Sequence, residues 1–393
     1  MSKKLKIPTL RFKEFFGEWE EKKLEDIAKF SKGKSISKSD IVEDGILECI
    51  RYGELYTHYK ETINEIYSKT NLDKNDLVVS EYGDIIIPAS GETQIDIATA
   101  SCVLKDGVAL SGDLNIIKTD EDGVFLSYYL NNAKKYDIAR LSQGISVVHL
   151  YSSQLKLLKL NLPQKQEQEK IASFLTSVDT KIEQLTKKET LLQEYKKGVM
   201  AQIFSRKIRF KDDNGSEFSE WEEKKISDIF EVTRGYVLAV NKMSEIKTNE
   251  FPYPVYSSQT KNKGLTGYFN DYLYENSITW TTDGANAGDV NFRKGKFYCT
   301  NVCGVLKSDN GYANECIAQI LKSVSKRYVS YVGNPKLMNN TMGSIKIKIP
   351  NSLEEQTKIA NFLSSIDKKI ELVQMELEKT KEFKKALLQQ MFV

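Results

Sequence analysis

Residues 167–204 read EQEKIASFLTSVDTKIEQLTKKETLLQEYKKGVMAQIF. Counted in sevens from Ile171, every position is apolar: Ile171, Val178, Leu185, Leu192 and Val199. Phe174 and Tyr195 fill positions three residues further on, and Leu175, Ile182 and Ile203 widen the stripe. No proline interrupts the run, and its one glycine is Gly198. A period of seven held this long predicts a single helix burying a narrow seam against a partner helix. At 1.5 Å per residue the rod is about 55 Å long.

The partner is supplied by the same chain. A shift of 188 residues brings Ile359, Ile366, Val373 and Leu387 to the same phase, with Thr380 as the one polar member. Phe362 and Ile370 extend this second seam. FLTSVDTKIE at 174–183 reads against FLSSIDKKIE at 362–371, and 196–204 reads against 384–392. Each rod follows a proline, Pro163 or Pro350, that closes a short apolar run, a usual helix entry signal.

The repeat extends to the rest of the chain. WEEKKLEDI at 19–27 matches WEEKKISDI at 221–229, and both run on to a glycine, Gly33 or Gly235. A basic lead-in at 8–13, PTLRFK, is echoed by Ile208-Arg-Phe-Lys211. The order is arm, domain, rod, written twice: arm 1–18, domain 19–162, helical spacer 163–205, second domain 206–349 with a lead-in at 206–220, and helical spacer 350–393. Trp19 and Trp221, at matching places, are read as scaffold packing.

Within the first domain, strand-length apolar runs stand at 46–50, 77–79, 85–87, 101–104 and 114–117. A helix is expected over 124–141 and a closing strand over 155–162. The second domain repeats the order, with strands at 253–256, 278–281, 298–300 and 302–306, a helix over 314–332 and a closing strand at 344–349. The fold class is α+β: two α/β domains separated by two long helices, with an internal repeat. Between the shared outer signatures the interiors differ, as expected of two scaffolds that contact different things.

Composition narrows the class. With 40 % apolar and 28 % charged residues the chain reads as ordinary globular protein. No apolar run reaches the ~20 residues of a membrane span, and the N-terminus does not read as a signal peptide. Five cysteines without framework spacing point to a reducing compartment, hence the cytoplasm. Cys299 and Cys303 lie close in sequence, but the chain has only His58 and His149, so no zinc site is expected. The net charge of +3 is small, so a nucleic-acid-binding face has to be a local patch.

Catalytic signatures are missing. Gly288 to Gly295-Lys296 has the wrong spacing for a P-loop, and no glycine-rich turn opens a helix after a strand. Asn334-Pro335-Lys336 only begins like an amino-methylating signature, and two histidines leave little for acid–base chemistry. Polar binding groups are plentiful instead. The first domain offers Lys32, Lys34, Lys38, Arg51, Tyr52, and a loop with Arg140, Gln143, Ser146 and His149. The second offers Arg234, Tyr256, Ser258, Gln259, Lys261, Lys263, Asn286, Arg293, Lys294, Lys296 and Lys336. Lys and Arg hold phosphates, while Asn, Gln, Arg and Ser reach base edges.

Over nearly its whole length the chain resembles the specificity subunits of type I restriction–modification systems. The residues that carry the resemblance are the Trp-Glu-Glu-Lys-Lys starts, the Pro163 and Pro350 junctions, and the pair QEKIASFL at 168–175 and QTKIANFL at 356–363. The resemblance implies two target-recognition domains held apart by antiparallel helices, each reading half of a split DNA target. It implies two modification subunits docked on the helices and two ATP-dependent restriction subunits. S-adenosylmethionine, ATP and magnesium are then expected in those partners and no cofactor in this chain, which is itself non-catalytic. The repeat further predicts a pseudo-two-fold axis, with both termini near one end of the rod pair. A competing reading is a coiled-coil scaffold whose domains bind protein, marked by salt-insensitive association. A third is a methyltransferase or nuclease with degenerate motifs, marked by turnover from the chain alone.

Overall fold

Both rod sequences are helical without a break, Lys165–Phe204 and Leu353–Gln390, in a computed structural model that describes residues 6–144, 147–258 and 261–393. The chain divides into two units, 1–188 with 374–393 and 189–373. Each unit thus contains one domain and part of both rods.

Within the first unit the rod halves are antiparallel, the early part of one lying against the late part of the other. Phe174 meets Phe383 edge-on at 6.4 Å, Lys181 pairs with Glu376 at 2.7 Å, and Asp179 pairs with Lys384 at 2.7 Å. Ile171, Leu175, Val178, Ile182 and Leu185 are buried, as are Leu377 and Leu387 opposite. Within the second unit Lys196 donates to both oxygens of Asp367 at 2.7 Å. There Ile203, Ile359, Ile366, Ile370 and Val373 are buried, and Leu192 and Val199 are half-buried. Asp179–Lys384 and Asp367–Lys196 are the same pair in the repeat, each joining one duplicated block to the other.

The seam is broader than a two-helix stripe. Ile203, Ile359 and Leu363 belong to the second domain's core with Trp221 and Ile226, so the rod ends wall the domain. Phe174 and Phe362 are half-buried and each is covered by an arm aromatic, Phe12 at 5.8 Å and Phe210 at 5.7 Å. Tyr195, read into the seam, is 52 % exposed. A period of seven registers an apolar face but not what covers it.

The duplicated Trp-Glu-Glu-Lys-Lys segments are strands. Glu20–Lys23 pairs antiparallel with Lys159–Leu162, and Glu222–Lys225 with Lys346–Ile349. Each two-stranded ribbon closes its domain just ahead of a rod. Trp19 is buried against Phe125 and Tyr129, and Trp221 is buried with its Nε1 donating to Glu355 at 3.0 Å. Gln168 and Gln356 bind the junction together. Their Nε2 atoms donate to the carbonyls of Pro163 at 2.9 Å and Pro350 at 2.7 Å. Their Oε1 atoms accept from Asp122 N at 3.1 Å and Asn314 Nδ2 at 2.6 Å, the N-caps of helices Gly123–Asn132 and Glu315–Ser325. Rod, closing strand and domain helix are fixed to one another by one buried amide in each unit.

The main sheets share a three-strand frame. In the first unit the order is Ala28–Lys32, Leu114–Thr119, Ile85–Pro88, Ser101–Val103, Thr62–Ile63. In the second it is Glu231–Arg234, Cys303–Lys307, Tyr274–Thr281, Val290–Cys299, Tyr253–Tyr256, Leu265–Phe269. Beyond the third strand the two depart, which is where their sequences depart. The helix expected over 124–141 is two, Gly123–Asn132 and Lys135–Leu141, and that over 314–332 ends at Ser325, followed by the turn Lys326–Tyr328. Residue 79 makes only an isolated bridge to Ala109, and the closing strand of the first domain starts at Lys159 after a helical turn at Ser152–Leu155. Among the described residues no helix is long and apolar enough to cross a membrane.

Candidate nucleic-acid interface

In the first unit the polar groups gather around the turn at 110–112. Gly33 lies so close to it that a Cβ would come within 2.0 Å of the Ser111 carbonyl, so only glycine lets Lys32 and Lys34 flank the turn. Lys34 bridges Ser111, whose N–H donates to Ile50 at 3.0 Å, and this brings Arg51 and Tyr52 to the same end. A backbone pair closes the patch. Gln143 and His149 exchange backbone hydrogen bonds at 2.9 and 2.7 Å, and Leu150 N–H donates to Ala89 at 3.0 Å. His149 stacks on Tyr151, and Lys32 Nζ lies 6.0 Å from the same ring. Lys38 sits apart on the 3-10 turn Lys38–Asp40. Arg140, exposed at the end of helix Lys135–Leu141, pairs with Asp137 at 3.7 Å. Ser146 lies outside the described residues.

The second unit builds the same corner from other residues. A Cβ on Gly235 would come within 2.2 Å of the Cys299 carbonyl, which sets Arg234 beside 299–300. Thr300 N–H donates to Tyr256 at 2.9 Å and its hydroxyl to Ser257 at 3.0 Å, while Asn286 Nδ2 donates to the Ser258 carbonyl at 3.0 Å. Ser330 and Lys336 exchange backbone hydrogen bonds at 2.8 and 2.9 Å, and Leu337 N–H donates to Thr282. The Ser330–Lys336 pair is therefore the counterpart of the Gln143–His149 pair, and in the second unit it closes a loop over 331–335 that lies outside every expected strand. Its tip is apolar and open: Val332 is 92 % exposed and Tyr331 70 %. The signals for the pairs were the turn residues Gly144 in one copy and Gly333-Asn-Pro335 in the other.

Other candidates separate from this group. Lys263 pairs with Glu371 on the second rod at 2.9 Å, and Lys261 opens the turn Lys261–Gly264. Gln259 lies outside the described residues. Lys294 and Lys296 are exposed on either side of Gly295, with Lys296 Nζ 4.4 Å from the Tyr272 ring centre. Arg293, a buried strand residue, stays with the corner instead, its guanidinium over the Tyr256 ring. Alternation along Val290–Cys299 turns it inward.

The chemistry available is that of recognition. Among the described residues no cluster of His, Cys, Asp or Glu could hold a metal. The five cysteines are free and buried, and burial pushes the Cys303 thiol up to about 11, far from a thiolate at neutral pH. What the corners offer are cations for phosphates and hydroxyl, amide, imidazole and aromatic groups for bases.

The sequence model of the type I restriction modification DNA specificity domain matches residues 17–193 and 218–382. A candidate type I specificity subunit of Mycoplasma pneumoniae is 38 % identical over 152 residues, 38 % of this chain and 48 % of that protein. The specificity subunit of the type I restriction enzyme MpnII of the same organism is 36 % identical over 151 residues, 38 % of this chain and 44 % of its own length. The chain thus spans less than half the length of these two relatives. The crystal structure of a type I restriction–modification S subunit from M. genitalium superposes with a TM-score of 0.71 at 18 % identity, covering 98 % of this chain and 99 % of that one, and so shares the fold. These comparisons give no support to a protein-binding scaffold. With the specificity-domain match falling on both copies of the repeat, this chain belongs to the type I restriction modification DNA specificity family.

Proposed function

We propose that this chain is the non-catalytic DNA-reading subunit of a cytoplasmic type I restriction–modification complex. Each recognition domain reads one half of a bipartite, asymmetric target in double-stranded DNA. The antiparallel helices set the gap between half-sites, since half-site separation follows from the spacer between readers. Two modification subunits dock on the helices and methylate an adenine in each half-site. Two ATP-dependent restriction subunits join to cleave unmodified DNA.

The observation that carries this reading is a repeated frame around unlike corners. Closing ribbons, buried glutamines and the Asp–Lys pair recur in both units. The corners differ: Lys32, Lys34, Arg51, Tyr52 and His149 in one, Arg234, Tyr256, Ser258, Asn286 and Lys336 in the other. A duplicated frame suits a duplicated partner, and unlike polar corners suit unlike base sequences. The domain limits 19–162 and 206–349 follow the same logic.

The test is a genome-wide map of modified adenines in cells expressing this chain with its modification subunit. The expected outcome is one split motif with a fixed gap and an adenine marked on each strand. A purified complex that leaves no new modified adenines would count against the assignment.

A further inference from the structure

Arg293 stands on the strand Val290–Cys299 and is 7 % exposed. Its guanidinium carbon lies 3.7 Å from the centre of the Tyr256 ring, and its Nε donates to Thr279 Oγ1 at 3.0 Å. The stacking fixes the plane of the guanidinium and the hydrogen bond fixes its rotation. Nε is the one donor used: neither terminal nitrogen donates to an acceptor among the described residues, and neither is sealed from solvent. Burial pushes its pKa down, against the attraction of Tyr256. A buried cation with idle donors is costly unless an acceptor arrives to meet them.

Arg293 also lines a cavity of about 840 Å³ within the second unit, whose walls include Lys196 of the first rod, Lys322 and Arg327, and the carboxylates Glu315 and Asp367. Lys322 beside it is paired with Asp289 at 3.4 Å and Lys263 with Glu371, so what suits Arg293 to reading an edge is its immobilised fork and not the charge around it. A phosphate asks only for charge, which an exposed lysine supplies. Two acceptors in one plane ask for a planar fork held still.

We infer that Arg293 is the specificity-determining residue of the second domain and reads a guanine, its two terminal nitrogens donating to O6 and N7 in the major groove. This rests on the DNA-reading function proposed above.

The full chain in complex with its modification subunit is assayed on its mapped target and on duplexes substituted at each position of both half-sites. Arg293→Lys keeps the charge and removes the fork, while Thr279→Val keeps the arginine and removes its anchor. Arg293→Lys is expected to lose tenfold or more of the preference for guanine at one position of one half-site, with the other half-site unchanged. Thr279→Val is expected to lose less, at the same position. Wild-type preference at every position in Arg293→Lys would overturn the inference. So would uniform weakening on all sequences with a shallower salt dependence, the mark of a phosphate contact. Should Arg293→Lys fail to assemble, unaltered preference in Thr279→Val overturns it. A wild-type complex without sequence preference would sink the reader assignment itself, a separate result.

Discussion

Glu167 and Glu355 occupy the same position of the repeat and are both buried, yet they are satisfied differently. Glu167 accepts from Arg11 Nε at 2.8 Å and from its terminal Nη2 at 2.7 Å, a two-pronged pair. Glu355 accepts from Trp221 Nε1 at 3.0 Å, Arg209 stands off at 3.8 Å, and the Oε2 atom is sealed without a donor. Burial raises the Glu355 pKa, with Trp221 and Arg209 opposing. Because its folded pKa lies above the unfolded value, the stability Glu355 contributes is fully present below the unfolded pKa and is lost as pH rises through the folded pKa. Glu355→Gln is therefore expected to leave the melting temperature at pH 8 unchanged or higher. Glu167→Gln, which breaks a buried charge pair, is expected to cost about 1–3 kcal/mol. Calorimetry of the two variants checks this, and equal losses would contradict it. Burial of both tryptophans was legible in the sequence, but their partners were not. Arg11 takes both oxygens of Glu167, and Trp19 Nε1 is left without an acceptor, a competition that residue spacing does not encode.

Among the elements, the rods were legible because a period of seven over 38–40 residues has few alternatives. The two bridges Gln143–His149 and Ser330–Lys336 were not, since single backbone pairs carry no periodicity. The Asp–Lys pairs were visible only as matched blocks in separate rods. Their inequality gives a prediction. Asp179 also accepts from the Tyr128 hydroxyl at 2.5 Å, whereas the contact of Asp367 is with Lys196. Asp179→Ala should thus be more destabilising than Asp367→Ala by about 1 kcal/mol in urea unfolding. No difference would show that the tyrosine bond adds nothing. Val178, buried in the first unit, tolerates no carboxylate: Val178→Asp is expected to cost about 3 kcal/mol or more and to abolish co-purification with the modification subunit. Normal assembly would place this face outside the packed seam.

For the molecule as a whole, independence of the two readers is the testable property. Exchanging residues 19–162 for the equivalent domain of another member is expected to change one half of the methylated motif and leave the other intact. Adenine mapping would expose a change in both halves. The sequence could announce two frames because each is marked at both ends, and it could not announce the polar corners because those are where the copies diverge. The first domain also has a dependence on the far end of the chain. Phe392 packs on Phe125 and Tyr129, the Tyr129 hydroxyl donates to the Val393 carbonyl, and Leu10 N–H donates to Gln390 at 2.9 Å. These contacts join residues more than 260 positions apart, and such contacts form late. A ribosome that has finished the first domain has therefore not finished its core. That domain must wait, incompletely packed, until residues 390–393 have been made, and loss of these distant residues damages the first domain's core.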